Sequence, residues 1–274
     1  MKVIFNCTIF DFHKSYYIDI AKEIERRGGC AIFEYNKIIH EDANFTIQAD
    51  EGCERLGGKG VWINHAIPVI PQNDFYLGQG FKNDLLKNSD YIFVYSSEWV
   101  KDFDFGLPVY VSGLPKLDTL FDVEKEGCCI FYAPTWNPGL NSKDVVNLDE
   151  LKGFGEVIYK GHPAFNSNNI STEESLKKAT IVISDYSSVG LESIVLNIPT
   201  ILIDMPNILT TNHISNQARK AAICVKNQSE ISLAIKQYIE NPKFLEQERL
   251  YYSSKLCEYQ KNAAKRIVDI LEKL

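Results

Sequence analysis

The chain has no run of lysine and arginine long enough to track a phosphate backbone, and its 274 residues carry a net charge of −7. Nucleic acid is therefore not an expected partner. No apolar stretch approaches the roughly 20 residues needed to cross a bilayer. The opening MKVIFNCTIFDFHKS has only the outline of a signal peptide. Asn6 and Asp11 interrupt its apolar run and no small-residue cleavage site follows, so it reads as a first strand. The seven cysteines, at 7, 30, 53, 128, 129, 224 and 257, include no CxxC pair and have no histidine at metal-ligand spacing. An odd count in strand-like contexts predicts reduced, mostly buried thiols of the cytosolic kind, with no role for Cys53 in its polar stretch. There is no GxGxxG after the first strand, which removes the dinucleotide-binding fingerprint. Internal repeats and low-complexity tracts are absent as well.

What is present is a core and a rhythm. Hydrophobic residues make up 45% and charged residues 24%, the balance of a soluble globular protein. Apolar β-branched runs alternate with helical periodicity along the chain. Strands are expected at Lys2–Cys7, Cys30–Tyr35, Val61–Ile63, Tyr91–Tyr95 and Val109–Val111. The first helix, Tyr16–Arg27, is stopped by Gly28-Gly29. Further helices are expected over Phe81–Lys87, from Ser96 onward, and briefly at 113–118. Phe121–Gly127 is charged, reads as exposed, and marks a boundary. Beyond it the alternation restarts with strands at Cys128–Tyr132, Val157–Lys160 and Ala221–Val225. Helices are expected at Ser171–Lys178, with a Ser171/Glu174 capping box, and at Ser229–Glu240. Strands alternating with helices imply parallel sheets covered on both faces. The expected organisation is two Rossmann-like α/β lobes, 1–123 and 124–243, with a cleft between them. An amphipathic helical tail, 244–274, would pack across both.

The stretch 180–204, TIVISDYSSVGLESIVLNIPTILID, is a strand, turn, helix and strand in close succession. Ser187 falls where an N-cap belongs. The unpaired N–H groups of the first helical turn and the positive end of the helix dipole suit a phosphate. Glu192, four residues after Ser188, lies on the same helix face and could accept bonds from a ribose diol. A Ser-capped helix after a strand is also an ordinary feature of any α/β protein. Position argues for more: His65, Thr135-Trp136, His162-Pro163 and Asp185–Ser188 each follow an expected strand. Ligands of parallel sheets bind beyond the carboxyl ends of the strands.

Those same segments resemble the CDP-glycerol glycerophosphotransferases, the teichoic-acid and capsule polyol-phosphate transferases with a GT-B fold. Tyr132-Ala133-Pro134-Thr135-Trp136 is similar to the family's YAPTW loop, Lys160-Gly161-His162-Pro163 to its strand end before HP, and Ser184–Val189 to its [ST]DYSS turn. In the first half, His65-Ala66-Ile67-Pro68 stands where members have HGTP, and 113–118 resembles GYPRND. The long N-terminal extension of the large polymerases has no counterpart here, so the expectation is a bare catalytic core.

The resemblance implies attack of an acceptor hydroxyl on the β-phosphorus of a CDP-polyol, with CMP leaving and no covalent intermediate. His65 would be the base, since a neutral imidazole accepts a proton near pH 7. His162, aimed by Pro163, would stand against the pyrophosphate. Ser187 and Ser188 would bind phosphate, Glu192 the ribose, and Thr135 a phosphate or the base. Trp136 is either a binding residue or core, and Lys160 either a phosphate ligand or a solvated strand-end charge. Asp185 would orient His162 or cap the helix, and Asp118 would lie on the acceptor side. His13, His40 and His213 have no motif around them. No obligatory metal is implied; Mg²⁺ would enter with the nucleotide. The acceptor would be a lipid-linked or polymer end, met at the inner face of the plasma membrane through peripheral contact by a cytoplasmic protein. Two alternatives remain: a GT-B enzyme acting on a nucleotide sugar, and a nucleotide-binding subunit without turnover.

Overall fold

A computed structural model of the chain describes residues 1–9, 13–49, 54–64, 66–67, 79–135, 142–161, 170–205 and 212–274. The chain divides into two compact units. The first comprises Met1–Ala66, Asp74–Thr119 and Cys257–Leu274; the second centres on Leu120–Leu256.

The first unit opens with β1 (Lys2–Asn6), α1 (His13–Arg26) and β2 (Cys30–Glu34). Gly28, at φ +79°, ends α1 in the left-handed conformation that glycine adopts without strain, and the Gly29 N–H closes back on the Ile24 carbonyl at 2.9 Å. Then follow β3 (Phe45–Gln48), β4 (Lys59–Ile63), α2 (Gln79–Asn88), β5 (Tyr91–Val94) and β6 (Val109–Val111). All pair in parallel in the order β2-β1-β3-β4-β5-β6. β3 has no counterpart in the sequence reading. Its four residues are buried although two are polar, because the fold satisfies them: Thr46 Oγ1 donates to the Gly57 carbonyl at 2.6 Å and Gln48 Nε2 to Ser89 Oγ at 3.0 Å.

The second unit runs β7 (Cys129–Ala133), α3 (Leu148–Lys152), β8 (Glu156–Tyr159), α4 (Thr172–Lys178), β9 (Ile181–Ser184), α5 (Ser188–Val195), β10 (Thr200–Ile203), α6 (Ile214–Gln217), β11 (Ile223–Val225), α7 (Gln228–Glu240) and α8 (Glu246–Leu256). Its five strands are also parallel, in the order β11-β10-β9-β7-β8. Ser171 caps α4 through the Glu174 N–H, as its motif predicts. Within the charged 121–127 segment Lys125 is not free in solvent. Its ammonium donates to the Leu176 and Ala179 carbonyls at 3.1 and 2.7 Å, and burial lowers its pKa to about 8.

The last helix, α9 (Ala263–Leu271), belongs to the first unit, whereas α8 belongs to the second. The tail is thus divided between the units at 256/257, and the earlier boundary falls at 119/120. The physical reason lies in α9, where Ala264, Ile267, Val268 and Leu271 form one apolar stripe at i, i+3, i+4, i+7. That stripe joins the core made by Val3, Phe5, Ile20, Ile24, Ile47 and Phe93. Burying each large aliphatic there contributes about 1.5–3 kcal/mol. Arg27, just after α1, adds ion pairs to Asp269 of α9 and to its C-cap Glu272 at 2.7 and 2.8 Å.

Asn262, the N-cap of α9, makes no side-chain cap bond. Asp118 supplies the cap from elsewhere in the unit: its two oxygens accept the Ala263 and Ala264 N–H groups at 3.1 and 2.8 Å. Burial outweighs those two bonds and raises the Asp118 pKa to about 6. A carboxyl whose folded pKa lies above its unfolded value near 3.9 binds more protons in the native state through that interval. Its contribution to stability therefore increases as pH falls from above 6 towards 4. The rise in melting temperature between pH 7 and pH 5 should accordingly be smaller in Asp118→Asn than in the unmodified protein. Identical pH profiles in thermal melts would contradict this assignment.

Candidate functional site

In the second unit the carboxyl ends of β7, β8 and β9 gather most of the expected site residues that the structure describes. Ser184, the last residue of β9, donates its hydroxyl to the Ala133 carbonyl at the end of β7 at 2.8 Å. Ser187 is the N-cap of α5, accepting the Val189 N–H at a long 3.5 Å, and Ser188 is the first helical residue. Behind this start, Val189–Val195 are all buried, so α5 is an interior helix that meets its surroundings through its N-terminus. A Cβ on Gly190 would meet Leu202 Cδ2 at 2.7 Å; the bare glycine lets α5 lie close on β10. The positive end of the α5 dipole is thereby aimed at the strand-end edge, an arrangement that favours an anion.

Asp185 is 1% exposed. Its Oδ1 accepts the Thr135 N–H at 2.7 Å, and its Oδ2 accepts both the N–H and the hydroxyl of Ser142 at 2.9 and 2.7 Å. Ser142 Oγ also bonds the Tyr132 hydroxyl at 2.9 Å. One carboxylate thus ties Thr135 and Ser142 to the turn that starts α5. Desolvation raises its pKa, with these hydrogen bonds acting in the opposite direction. The cap of α5 is Ser187, so the capping role expected of Asp185 is corrected: its side chain faces the β7 loop. Thr135 is buried beside it.

Lys160 follows β8 and reaches Ile170. Its Nζ donates to the Ile170 carbonyl at 2.5 Å, and burial lowers its pKa. Glu192 lies one turn into α5 beyond Ser188, with its side chain fully covered by protein. Asp118 is in the first unit, bound to the α9 amides as described. His65, Trp136, His162 and Pro163 lie outside the described residues.

One neighbour of the site escaped sequence reading. Arg219, between α6 and β11, forms an ion pair with Asp204 at the end of β10. Its guanidinium lies over the Tyr186 ring, 5.3 Å from the centroid. Nothing around QARKAA marks that arginine, because its partners come from two other strand ends. His213 is an N-cap, of α6, its Nδ1 accepting the Ser215 N–H at 3.2 Å. Of the cysteines described, Cys7, Cys129 and Cys257 are buried, Cys128 is partly so, and Cys30 and Cys224 are exposed. Among the described residues no group of three or more His, Cys, Asp or Glu could hold a metal ion. No described helix is long and apolar enough to cross a membrane.

No protein-family model matches the chain, and no curated protein matches its sequence. Solved structures do match its backbone. The wall teichoic acid polymerase TagF, in a variant soaked with CDPG, aligns with a TM-score of 0.73 at 14% identity, covering 99% of this chain and 88% of that one. The UDP-GlcNAc 2-epimerase from Neisseria meningitidis bound to UDP-GlcNAc aligns with a TM-score of 0.64 at 13% identity, covering both chains in full. The spinosyn forosaminyltransferase SpnP gives 0.52 at 10% identity. Two parallel α/β sheets with a helical C-terminal region are the GT-B fold of these neighbours, and that fold is what the likeness shows.

Proposed function

We propose that this protein transfers a polyol phosphate, glycerol phosphate first among the candidates, from a CDP-activated donor to a hydroxyl of a cell-wall or capsule acceptor, releasing CMP. The observation that carries this reading is the N-terminus of α5, opened by Ser187 and Ser188 at the carboxyl end of β9 and tied by Asp185 to the loop after β7. It is a helix-dipole anion site on the GT-B unit whose motifs resemble the polyol-phosphate transferases. The amides and hydroxyls of Ser187 and Ser188 hold the donor diphosphate, and Thr135 adds a polar contact beside them. Glu192 takes the ribose, which requires its protein cover to part as the donor enters. The acceptor oxygen forms a bond to the β-phosphorus as the bond to the CMP oxygen breaks, and the acceptor proton passes to His65. His162 donates towards the departing CMP. Charge held by fixed dipoles at that moment lowers the barrier most. The acceptor would be met at the inner face of the plasma membrane, and any divalent cation would arrive with the nucleotide.

Calorimetric titration with CMP, CDP-glycerol, CDP-ribitol and UDP tests the reading. Cytidine nucleotides should bind, UDP should not, and Ser188→Ala should weaken CMP by about tenfold, the worth of one hydrogen bond to a charged group. Selective binding of UDP would transfer the protein to nucleotide-sugar chemistry, the reading favoured by the epimerase likeness. Tight CMP binding without turnover of any CDP donor would leave a nucleotide-binding subunit.

A further inference from the structure

The described chain on either side of position 65 is held by two buried polar side chains of the first unit. Asn64, one residue past β4 and 4% exposed, accepts the Ala66 N–H through its Oδ1 at 3.2 Å, the bond of an Asx turn. Tyr95, one residue past the adjacent strand β5 and 1% exposed, donates its hydroxyl to the Ala66 carbonyl. The Tyr95 ring packs edge-on against Trp99 at 5.4 Å and 89°. The Tyr95 backbone is fixed in turn, its carbonyl accepting the Glu258 N–H at 2.9 Å. Ala66 therefore has both its amide and its carbonyl bonded to side chains from two neighbouring strand ends. Asx turns of this kind also close β1, where Asn6 Oδ1 accepts the Thr8 N–H at 3.0 Å. The additional tyrosine clamp at β4 goes beyond what such a turn requires.

We infer that Tyr95, with Asn64, is a positioning residue for the proposed base: it fixes Ala66, the residue next in sequence to His65, without touching substrate. The inference rests on the phosphotransfer reading. A group that must meet a substrate hydroxyl loses effectiveness steeply with displacement, and about 1 Å of misplacement can cost about a hundredfold in rate. Asn64 and Ala66 lie past the end of β4, where the sheet's ladder no longer holds the chain. Bonding Ala66 at both its N–H and its C=O supplies that restraint. A phenylalanine at 95 would keep the ring against Trp99 and lose the bond to the Ala66 carbonyl.

The test compares Tyr95→Phe with His65→Ala, measuring CMP release from CDP-glycerol in the presence of a glycerol-phosphate-ended lipid primer, alongside CMP affinity by calorimetry. In Tyr95→Phe, kcat should fall about 10- to 100-fold. Its CMP affinity and KM for CDP-glycerol should stay within about twofold, a split that general loss of structure would not produce. His65→Ala should lose turnover while retaining CMP. Loss of turnover in His65→Ala with an unchanged kcat in Tyr95→Phe would overturn the positioning role and leave the function standing. Full turnover in His65→Ala would overturn the catalytic reading and the inference with it. If Tyr95→Phe does not fold, the same kcat-against-KM split is read on Asn64→Ala against Asn64→Ser, where the serine retains an acceptor for the Ala66 N–H. Equal kcat values for the two would then refute the inference.

Discussion

Asp185→Asn should be nearly as damaging as Asp185→Ala, each lowering the unfolding free energy by about 3–5 kcal/mol and weakening CMP binding by more than tenfold. The reason is the sign of the partners. Oδ1 receives the Thr135 N–H, and Oδ2 receives the Ser142 N–H and hydroxyl. An asparagine must present its NH₂ to one of these two sets. In either orientation a buried backbone N–H then faces another donor, and each buried group left unsatisfied costs about 1–3 kcal/mol. Alanine leaves both sets without an acceptor. The variant also frees Thr135 and Ser142 from the start of α5, so the effect on nucleotide exceeds what lost stability explains. Denaturant midpoints and calorimetry with CMP measure the two effects separately. An Asp185→Asn protein with unchanged stability and affinity would show that the carboxylate is replaceable by its neutral isostere and that the loop is held by other means.

Arg249→Ala is expected to cost about 4 kcal/mol of stability, the second large effect, without direct action on the site. Arg249 is 1% exposed on α8. Its Nε donates to Asn197 Oδ1 at 3.0 Å, and Nη1 and Nη2 donate to the Phe244 and Pro242 carbonyls at 2.7 and 3.5 Å. The guanidinium also lies 5.9 Å from the centre of the Tyr238 ring. One side chain therefore joins α8 to the end of α7 and to Asn197, which sits at φ +55° in the turn between α5 and β10. Burial without a hydrogen-bonded carboxylate lowers its pKa. Truncation to alanine removes a large packed side chain and orphans buried acceptors together. Arg249→Met separates the two contributions, keeping most of the volume and adding no buried charge, and should lose about half as much. If methionine costs as much as alanine in urea denaturation, the hydrogen bonds dominate; if it costs nothing, the packing does.

The site was legible in the sequence where its chemistry is local. Ser187 was identified as the cap of α5, because a serine between an apolar strand and a helical run has one natural place to go. Thr135, Asp185 and Ser188 were found at strand ends because parallel α/β chains expose their polar turns there. Their partners were not legible. Asp185 could be read as a cap or as the orienter of a histidine, whereas its bonds go to residues 43 and 50 positions away. Lys160 looked like a ligand or a solvated charge, and its amine instead bonds a carbonyl ten residues on. Arg219 carried no signal, because an ion pair with Asp204 and a cation over Tyr186 arise only when β9, β10 and β11 lie side by side.

By itself, then, the sequence determined the alternation of strand and helix, hence parallel sheets, and the caps and glycine stops that bound the elements. Each of these follows from steric and hydrogen-bonding preferences acting over a few residues. Tertiary structure alone decided that Phe45–Gln48 is a central strand, since half its side chains are polar and only the neighbouring chain satisfies them. Tertiary structure likewise decided that α8 and α9 belong to different units, because the stripe of α9 fits the core of α1 and the first sheet. It gave Asp118, Asp185, Tyr95 and Arg249 their partners too. A buried polar group is bound to whatever donor or acceptor the fold brings within about 3 Å, and separation along the chain has no bearing on that distance.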